Sequence, residues 1–134
     1  MMAEFTVGDV IAERTVHLTR ESLVRYAGAS GDFNPIHYRD DVAAAVGLPG
    51  VLAHGMLTMG IASSVVLSAL PADTRVVDYG VRFTKPVVVD AEAGADVQIV
   101  AKVGAVDEVA ARIDLTVKAA ETTVLVKAQL RVAL

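Results

Sequence analysis

From residue 77 to the C-terminus the chain repeats one pattern four times: apolar and polar residues alternate with period two. Val77, Tyr79, Val81 and Phe83 alternate with Asp78, Gly80 and Arg82. Val97, Ile99, Ala101 and Val103 do so with Gln98 and Lys102. Val109, Ala111, Ile113, Leu115 and Val117 alternate with Ala110, Arg112, Asp114, Thr116 and Lys118, and Val124, Val126, Ala128, Leu130 and Val132 with Lys127, Gln129 and Arg131. Successive side chains of a strand point to opposite faces, so each segment predicts a strand with one buried face. Pro86 and the turn-rich residues 90–96 separate the first two. The second half of the chain is thus expected to be a strongly twisted antiparallel sheet.

A sheet with one apolar face needs a second layer to cover it. Residues 56–70 are apolar or small on nearly every side, broken by Thr58, Ser63, Ser64 and Ser68. Helices hydrophobic all round are buried all round, and Gly60, Ala62, Ser63 and Ser64 admit close neighbours. The stretch falls short of the roughly 20 residues that cross a bilayer, so no membrane span is expected. The expectation is an α+β fold, one domain over residues 1–134, with a curved antiparallel sheet wrapped around a long central helix. Hydrophobic residues make up 54% of the chain and charged ones 21%, which points to a buried helix, a subunit interface or both. Pairing of sheets across a dimer would also cover an otherwise open edge.

The first half is more broken. Residues 7–16 suit a short strand. Thr19 stands as an N-cap before a helix whose apolar side is Leu23, Val24, Tyr26 and Ala27. Gly28 and Gly31 loosen that helix, and Asn34 and Pro35 argue against helix in the segment that follows. A short helix over 40–46 begins with Asp40 and Asp41, where the helix dipole favours acids, and Gly47-Leu48-Pro49-Gly50 ends it.

Charge and cysteine content narrow the function classes. With 12 basic and 16 acidic residues the net charge is −4, and no basic run offers itself to nucleic acid. Cysteine is absent, which excludes disulfides, thiolate catalysis and iron–sulfur ligation and is compatible with a cytoplasmic protein. Met1-Met2-Ala3-Glu4-Phe5 is acidic and lacks a signal peptide's apolar core.

The chemistry concentrates in Ser30-Gly31-Asp32-Phe33-Asn34-Pro35-Ile36-His37, which sets a carboxylate and an imidazole five residues apart. Imidazole is the side chain whose ordinary protonation equilibrium lies near neutrality, and a neighbouring carboxylate can accept a proton and tune it. If both point into one cleft they can hold a water between them, with the Asn34 amide on the second imidazole nitrogen and Tyr26 and Phe33 as a buried apolar wall. The same spacing also suits a turn whose Asp and Asn side chains only cap nearby amides. His54 heads the long apolar run, as a capping or packing residue or as part of the site. If Gly55 opens that helix, its N–H is free of intrahelical bonds and suited to a developing oxyanion. His17 fits surface or core packing. Three scattered histidines without cysteine make no zinc signature. Arg82 and Lys85 suit either solvated surface or a phosphate or acidic carrier.

Taken together, Tyr26, the Ser30-to-His37 block, Ala43 after a five-residue spacer, Ala53-His54-Gly55-Met56 and Val81-Arg82-Phe83-Thr84-Lys85-Pro86-Val87 resemble the MaoC-like, or hydratase 2, family. The resemblance covers most of the chain. It implies a hot-dog fold in which two such domains form one continuous sheet, hence a homodimer or a heterodimer with a related hot-dog subunit. It further implies reversible dehydration of (3R)-hydroxyacyl thioesters to trans-2-enoyl thioesters, carried by acyl-carrier protein or coenzyme A, as in type II fatty acid synthesis. Neither metal nor redox cofactor is implied. By the same resemblance Asp32 and His37 are the catalytic pair, Asn34 orients the imidazole, and the Gly55 N–H holds the thioester oxygen. Tyr26, Phe33, His54 and Met56 are the substrate-pocket candidates. An (R)-specific enoyl-CoA hydratase would use identical residues. Thioesterase activity, and a non-catalytic acyl-binding partner subunit, are the other readings.

Overall fold

The computed structural model describes residues 4–134; Met1 to Ala3, the start of the acidic N-terminal stretch, lie outside the described residues. The elements run β1 (Val10–Leu18), α1 (Arg20–Ser30), a 3-10 turn (Pro35–His37), α2 (Asp40–Ala45), α3 (Gly55–Ser68), β2 (Val76–Phe83), β3 (Ala95–Val106), β4 (Ala110–Ala119) and β5 (Thr122–Ala133). The five strands form one antiparallel sheet in the order β1-β3-β4-β5-β2.

The alternation read from the sequence places the core. Val97, Ile99, Ala101 and Val103 of β3 are buried, as are Ala111, Ile113, Leu115 and Val117 of β4. They pack with Ala62, Val65 and Val66 of α3 and with Leu23 of α1 in one apolar cluster. Val109, Val77 and Phe83 are exceptions: Val109 lies in the turn before β4, Val77 and Phe83 lie on the edge strand β2, and all three are exposed.

The expected sheet wrapped around a long central helix is overturned. The sheet is open, with β1 and β2 as separate edges that do not meet around α3. The helix buries one side, Thr58, Ala62, Val65 and Val66, and leaves Gly55, Met56, Gly60, Ser64 and Ser68 exposed. Four of those exposed residues, from Met56 to Ser68, recur every fourth position and so form a stripe along one face. Gly60 and Ser64 carry little side chain that burial would reward, so nothing draws a sheet edge over that face. What survives is an α+β arrangement of a sheet covered on one side by helices. Among the described residues no helix is long and apolar enough to cross a membrane.

Local chemistry explains the helix ends near the site. Thr19 and Ser22 form a reciprocal capping box at the start of α1, and Gly31 ends it with φ of 79°, its N–H donating to the Ala27 carbonyl. Arg20 donates through Nε to the Val89 carbonyl at 2.6 Å and through its terminal nitrogens to Asp40. That guanidinium holds the Asp40 carboxyl below its ordinary range and ties α1, α2 and the segment before β3 together. Tyr79 of β2 donates its hydroxyl to the Met59 carbonyl at 2.6 Å, and burial pushes the phenol up to about 12.

β5 departs from simple alternation. Leu115 pairs with Ala128 and Val117 with Leu125, so Thr116 faces two residues, Val126 and Lys127, and Lys127 takes φ of 49°. A second register shift follows between Val117 and Lys118. These bulges let the consecutive residues Val124 and Leu125 both be buried, whereas strict alternation selects Val126.

The β4–β5 turn is made by Ala120 and Glu121, at φ of 48° and 61°. A two-residue hairpin with two positive φ values favours Asn-Gly. Replacing Ala120-Glu121 by Asn-Gly is expected to raise stability by about 1–2 kcal/mol. Denaturant unfolding at unchanged m-value checks it, and an unchanged midpoint refutes it.

Candidate active site

The segment that leaves α1 folds on its own side chains. The Asp32 N–H donates to Ser30 Oγ at 3.1 Å, the Asn34 N–H to Asp32 Oδ1 at 3.1 Å, and the Ile36 N–H to Asn34 Oδ1 at 3.2 Å. These short-range bonds start the 3-10 turn, with Pro35 in its first position, and swing His37 inward. His37 is 8% exposed.

Leu52 receives that turn. Its N–H donates to the Ile36 carbonyl at 3.1 Å, and its own carbonyl accepts from His37 Nδ1 at 2.7 Å. Leu52 is held in turn by a bridge to Val88 and by the flanking bonds Ala53 N–H to Val87 carbonyl and Val89 N–H to Val51 carbonyl, both 2.9 Å. A carbonyl only accepts, so His37 Nδ1 carries the proton and Nε2 presents its lone pair. Nε2 lies 3.9 Å from Asp32 Oδ2. That is too far for a hydrogen bond, but an oxygen about 2.8 Å from each would fit between them at an angle of about 90°.

The orienting partner of the imidazole is therefore the Leu52 carbonyl. Asn34, expected in that place, spends its side-chain oxygen on Ile36 and acts on His37 only by capping the turn that carries it. Phe33 also departs from expectation: at 62% exposed it is no buried wall. Phe83, at the end of β2, lines the site instead, though its ring too is more than half exposed.

α3 begins at Gly55, with His54 as its N-cap residue at φ −58° and ψ 132°. Leu57 and Thr58 donate to the His54 carbonyl, and the Gly55 N–H has no acceptor among the described residues. This free N–H, at the positive end of a fourteen-residue helix, opens into two concavities. One, of about 310 Å³, is lined by His37, Gly55, Thr58, Phe83, Lys85 and Leu125 among others. The second, of about 390 Å³, is lined by Tyr26, Ser30, Asp32, His54, Gly55, Met56 and Phe83. Gly55 and Phe83 are common to both, with His37 on one side and Asp32 on the other.

The structure thus brings Asp32, His37, His54, Gly55, Tyr26 and Met56 together, and adds Leu52, Thr58, Phe83, Val124 and Leu125. Phe83 and Lys85 lie in the Val81-to-Val87 block already singled out in the sequence. Leu52 acts through its main chain, which no residue type reveals. His54 is 1% exposed; its ring stacks on His37 with centroids 3.8 Å apart at 21°, and its Nε2 donates to the Asp32 carbonyl at 3.1 Å.

Asp32, His37 and His54 each place one potential ligand atom within 4.8 Å of the others. The arrangement suits a metal poorly. Two stacked rings hold their in-plane lone pairs in near-parallel layers rather than aiming them at one point, and His37 Nδ1 and His54 Nε2 are already committed to carbonyls. The geometry instead gives a hydrogen-bonding carboxylate, a nitrogen lone pair and a free N–H around one cleft.

Residues 4–124 match the profile of the family described as MaoC like domain. The chain is 39% identical over 79 residues to 3-hydroxyacyl-thioester dehydratase X of Mycobacterium tuberculosis, covering 59% of this chain and 27% of that protein. It is 32% identical over 95 residues to the mitochondrial 3-hydroxyacyl-[acyl-carrier-protein] dehydratase of Arabidopsis thaliana, covering 71% of this chain and 56% of that one. The matched stretch is thus less than two thirds of either relative's length. Among solved structures, the unliganded R-hydratase PhaJ1 from Pseudomonas aeruginosa superposes with a TM-score of 0.82 at 28% identity, over 97% of this chain and 81% of that one.

Proposed function

Because the chain belongs to the MaoC-like domain family, we propose that it is a hydro-lyase acting on acyl thioesters, a (3R)-hydroxyacyl dehydratase working reversibly as a trans-2-enoyl hydratase. The observation that carries this reading is the facing pair of Asp32 Oδ2 and His37 Nε2, 3.9 Å apart, beside the free Gly55 N–H. The substrate we assign is linked to acyl-carrier protein, the class named for the Arabidopsis relative. The assignment extends to the reaction of the mycobacterial (3R)-hydroxyacyl-acyl-carrier-protein dehydratase, whose catalytic B subunit the signature block resembles. A coenzyme A ester is the second carrier, the class named for an (R)-specific enoyl-CoA hydratase of Rhodospirillum rubrum that is 32% identical over 71 residues.

In the hydration direction a water sits between Asp32 and His37, one hydrogen toward Oδ2 and the other toward Nε2. Asp32 takes a proton as the water oxygen bonds to C3 of the enoyl thioester. The C2–C3 π electrons move toward the carbonyl, and the enolate oxygen is held by the Gly55 N–H, where helix dipole and N–H act together. The proton passes from the pair to C2, giving the (3R)-hydroxyacyl thioester and restoring Asp32. Dehydration reverses each step. Phe83, Val124 and Leu125 give the acyl chain an apolar lining.

The partner we assign is a second hot-dog subunit, identical or related, seated on β2. Both edges expose charged side chains, Glu13 and Arg14 on β1 and Asp78 and Arg82 on β2, but β1 exposes one large apolar residue, Val10, and β2 three, Val76, Val77 and Phe83. An apolar edge strand is the one that gains from pairing.

The testing experiment is hydration of trans-2-butenoyl-CoA and of the same acyl group on acyl-carrier protein, with product stereochemistry and particle mass read on one sample. Formation of the (3R)-hydroxy product by a dimer is expected. A folded dimer that turns over neither thioester, alone or with a related hot-dog subunit, refutes the assignment.

A further inference from the structure

The reaction assigned above gives His54 no proton to move, yet His54 touches both groups that do. Its ring covers one face of His37 at 3.8 Å. Its Nε2 donates to the main-chain oxygen of Asp32 at 3.1 Å. On another side the edge of Tyr26 meets it, centroids 4.8 Å apart at 64°. Its Nδ1 is buried with no hydrogen-bond partner among the described residues. A residue present only to fill this space would do better as a hydrocarbon, since a buried nitrogen without a partner is unfavourable.

Resting on the dehydratase reading, we propose that His54 is a positioning residue that sets the spacing and facing of Asp32 and His37. The contact with the Asp32 carbonyl fixes the loop between α1 and the 3-10 turn, so the carboxylate cannot swing away from Nε2. The stacked face fixes the plane of the His37 ring, which the bond to Leu52 alone leaves free to roll about one axis. Asp32 needs such a restraint, because its side chain is 52% exposed and its one direct bond is to the Asn34 N–H.

The titratable groups facing His54 are Tyr26 from α1, Asp32 from the loop and His37 from the 3-10 turn. Desolvation pushes His54 below the ordinary imidazole value, helped by the nearby His37 and opposed by the Asp32 carbonyl and carboxylate. A neutral His54 remains a donor to the Asp32 carbonyl and does not compete for the proton in transit. A positive charge arising on His37 would then lie over a neutral aromatic face.

Two substitutions separate the contacts. His54→Phe keeps a ring and removes the donor; His54→Gln keeps an N–H donor able to reach the Asp32 carbonyl. For an enoyl thioester the Phe variant is expected to lose 10- to 100-fold in kcat, with KM within about threefold, and Gln to recover at least fivefold of that loss. A Phe variant within twofold of native kcat overturns the proposal, and so does a loss that Gln does not relieve or that appears equally in KM. Should neither variant fold, the native chain decides: nitrogen-15 NMR of its three imidazoles is expected to show one neutral ring with its proton on Nε2, hydrogen-bonded to a carbonyl. Absence of such an Nε2-protonated ring overturns the proposal. Absence of turnover in the native protein is a different failure, that of the dehydratase reading itself.

Discussion

Asp32→Asn is expected to leave the protein folded and its turnover of a trans-2-enoyl thioester at least about 100-fold lower, the scale of a lost acid–base group. The substitution is close to isosteric. The amide oxygen can still accept from the Asn34 N–H, so the turn that carries His37 keeps its first bond. The side chain is half exposed and His37 Nε2, 3.9 Å away, is beyond hydrogen-bond distance, so little stability is at stake. What changes is the atom facing His37 Nε2: a carboxylate oxygen that can take a proton becomes an amide NH2 that cannot. His37→Ala should lose at least as much activity, but it also removes the bond to Leu52 and the stack on His54, so its melting temperature should fall as well. Turnover by folded Asp32→Asn within fivefold of native would remove Asp32 from the chemistry.

Gly55→Pro is the second large effect, a loss of at least about 100-fold, comparable with removal of one oxyanion donor. Proline is damaging in most of a helix but favoured in its first position, where Gly55 stands and where the N–H is spare. The preceding residue must be extended, and His54 already is, at ψ 132°. A Cβ at position 55 would come 3.0 Å from Phe83 Cε1, but that ring is largely exposed and can turn. Gly55→Ala sets the same carbon against Phe83 while keeping the N–H, and should stay within about tenfold of native. If Pro and Ala behave alike, the N–H is not the oxyanion donor.

The two halves of the site differ in how far the sequence reveals them. The strands could be read because period-two alternation follows directly from strand geometry, and Ile99, Ile113 and Leu130 are buried where it places them. The setting of α3 could not. Gly60 and Ser64 read equally as close-packing residues and as an open face, because a small side chain neither demands burial nor resists it. Asp32, His37 and Gly55 converge on one cleft because the short-range bonds of the turn and a helix start are encoded locally. Asn34 shows the limit. Its oxygen had two possible acceptor roles, and the N–H two residues on lies nearest. Phe33 turns to solvent for a related reason: adjacency to Asp32 in the chain carries no information about which way a loop residue points.

The bulges of β5 have a bearing on how the acyl pocket can change over time. Val124 and Leu125 line it because one strand holds more residues than its neighbours across the same span. Point substitution can trim or enlarge these side chains one at a time. Loss of Lys127 would act differently: Thr116 would face Val126 alone, while Val117 and Leu125, and Leu115 and Ala128, would keep their pairing, so the strand would straighten with the same residues inside. Selection on chain length can therefore proceed gradually through side chains, whereas deletion of the extra residue would change the bend of the strand and leave the lining's identity unchanged.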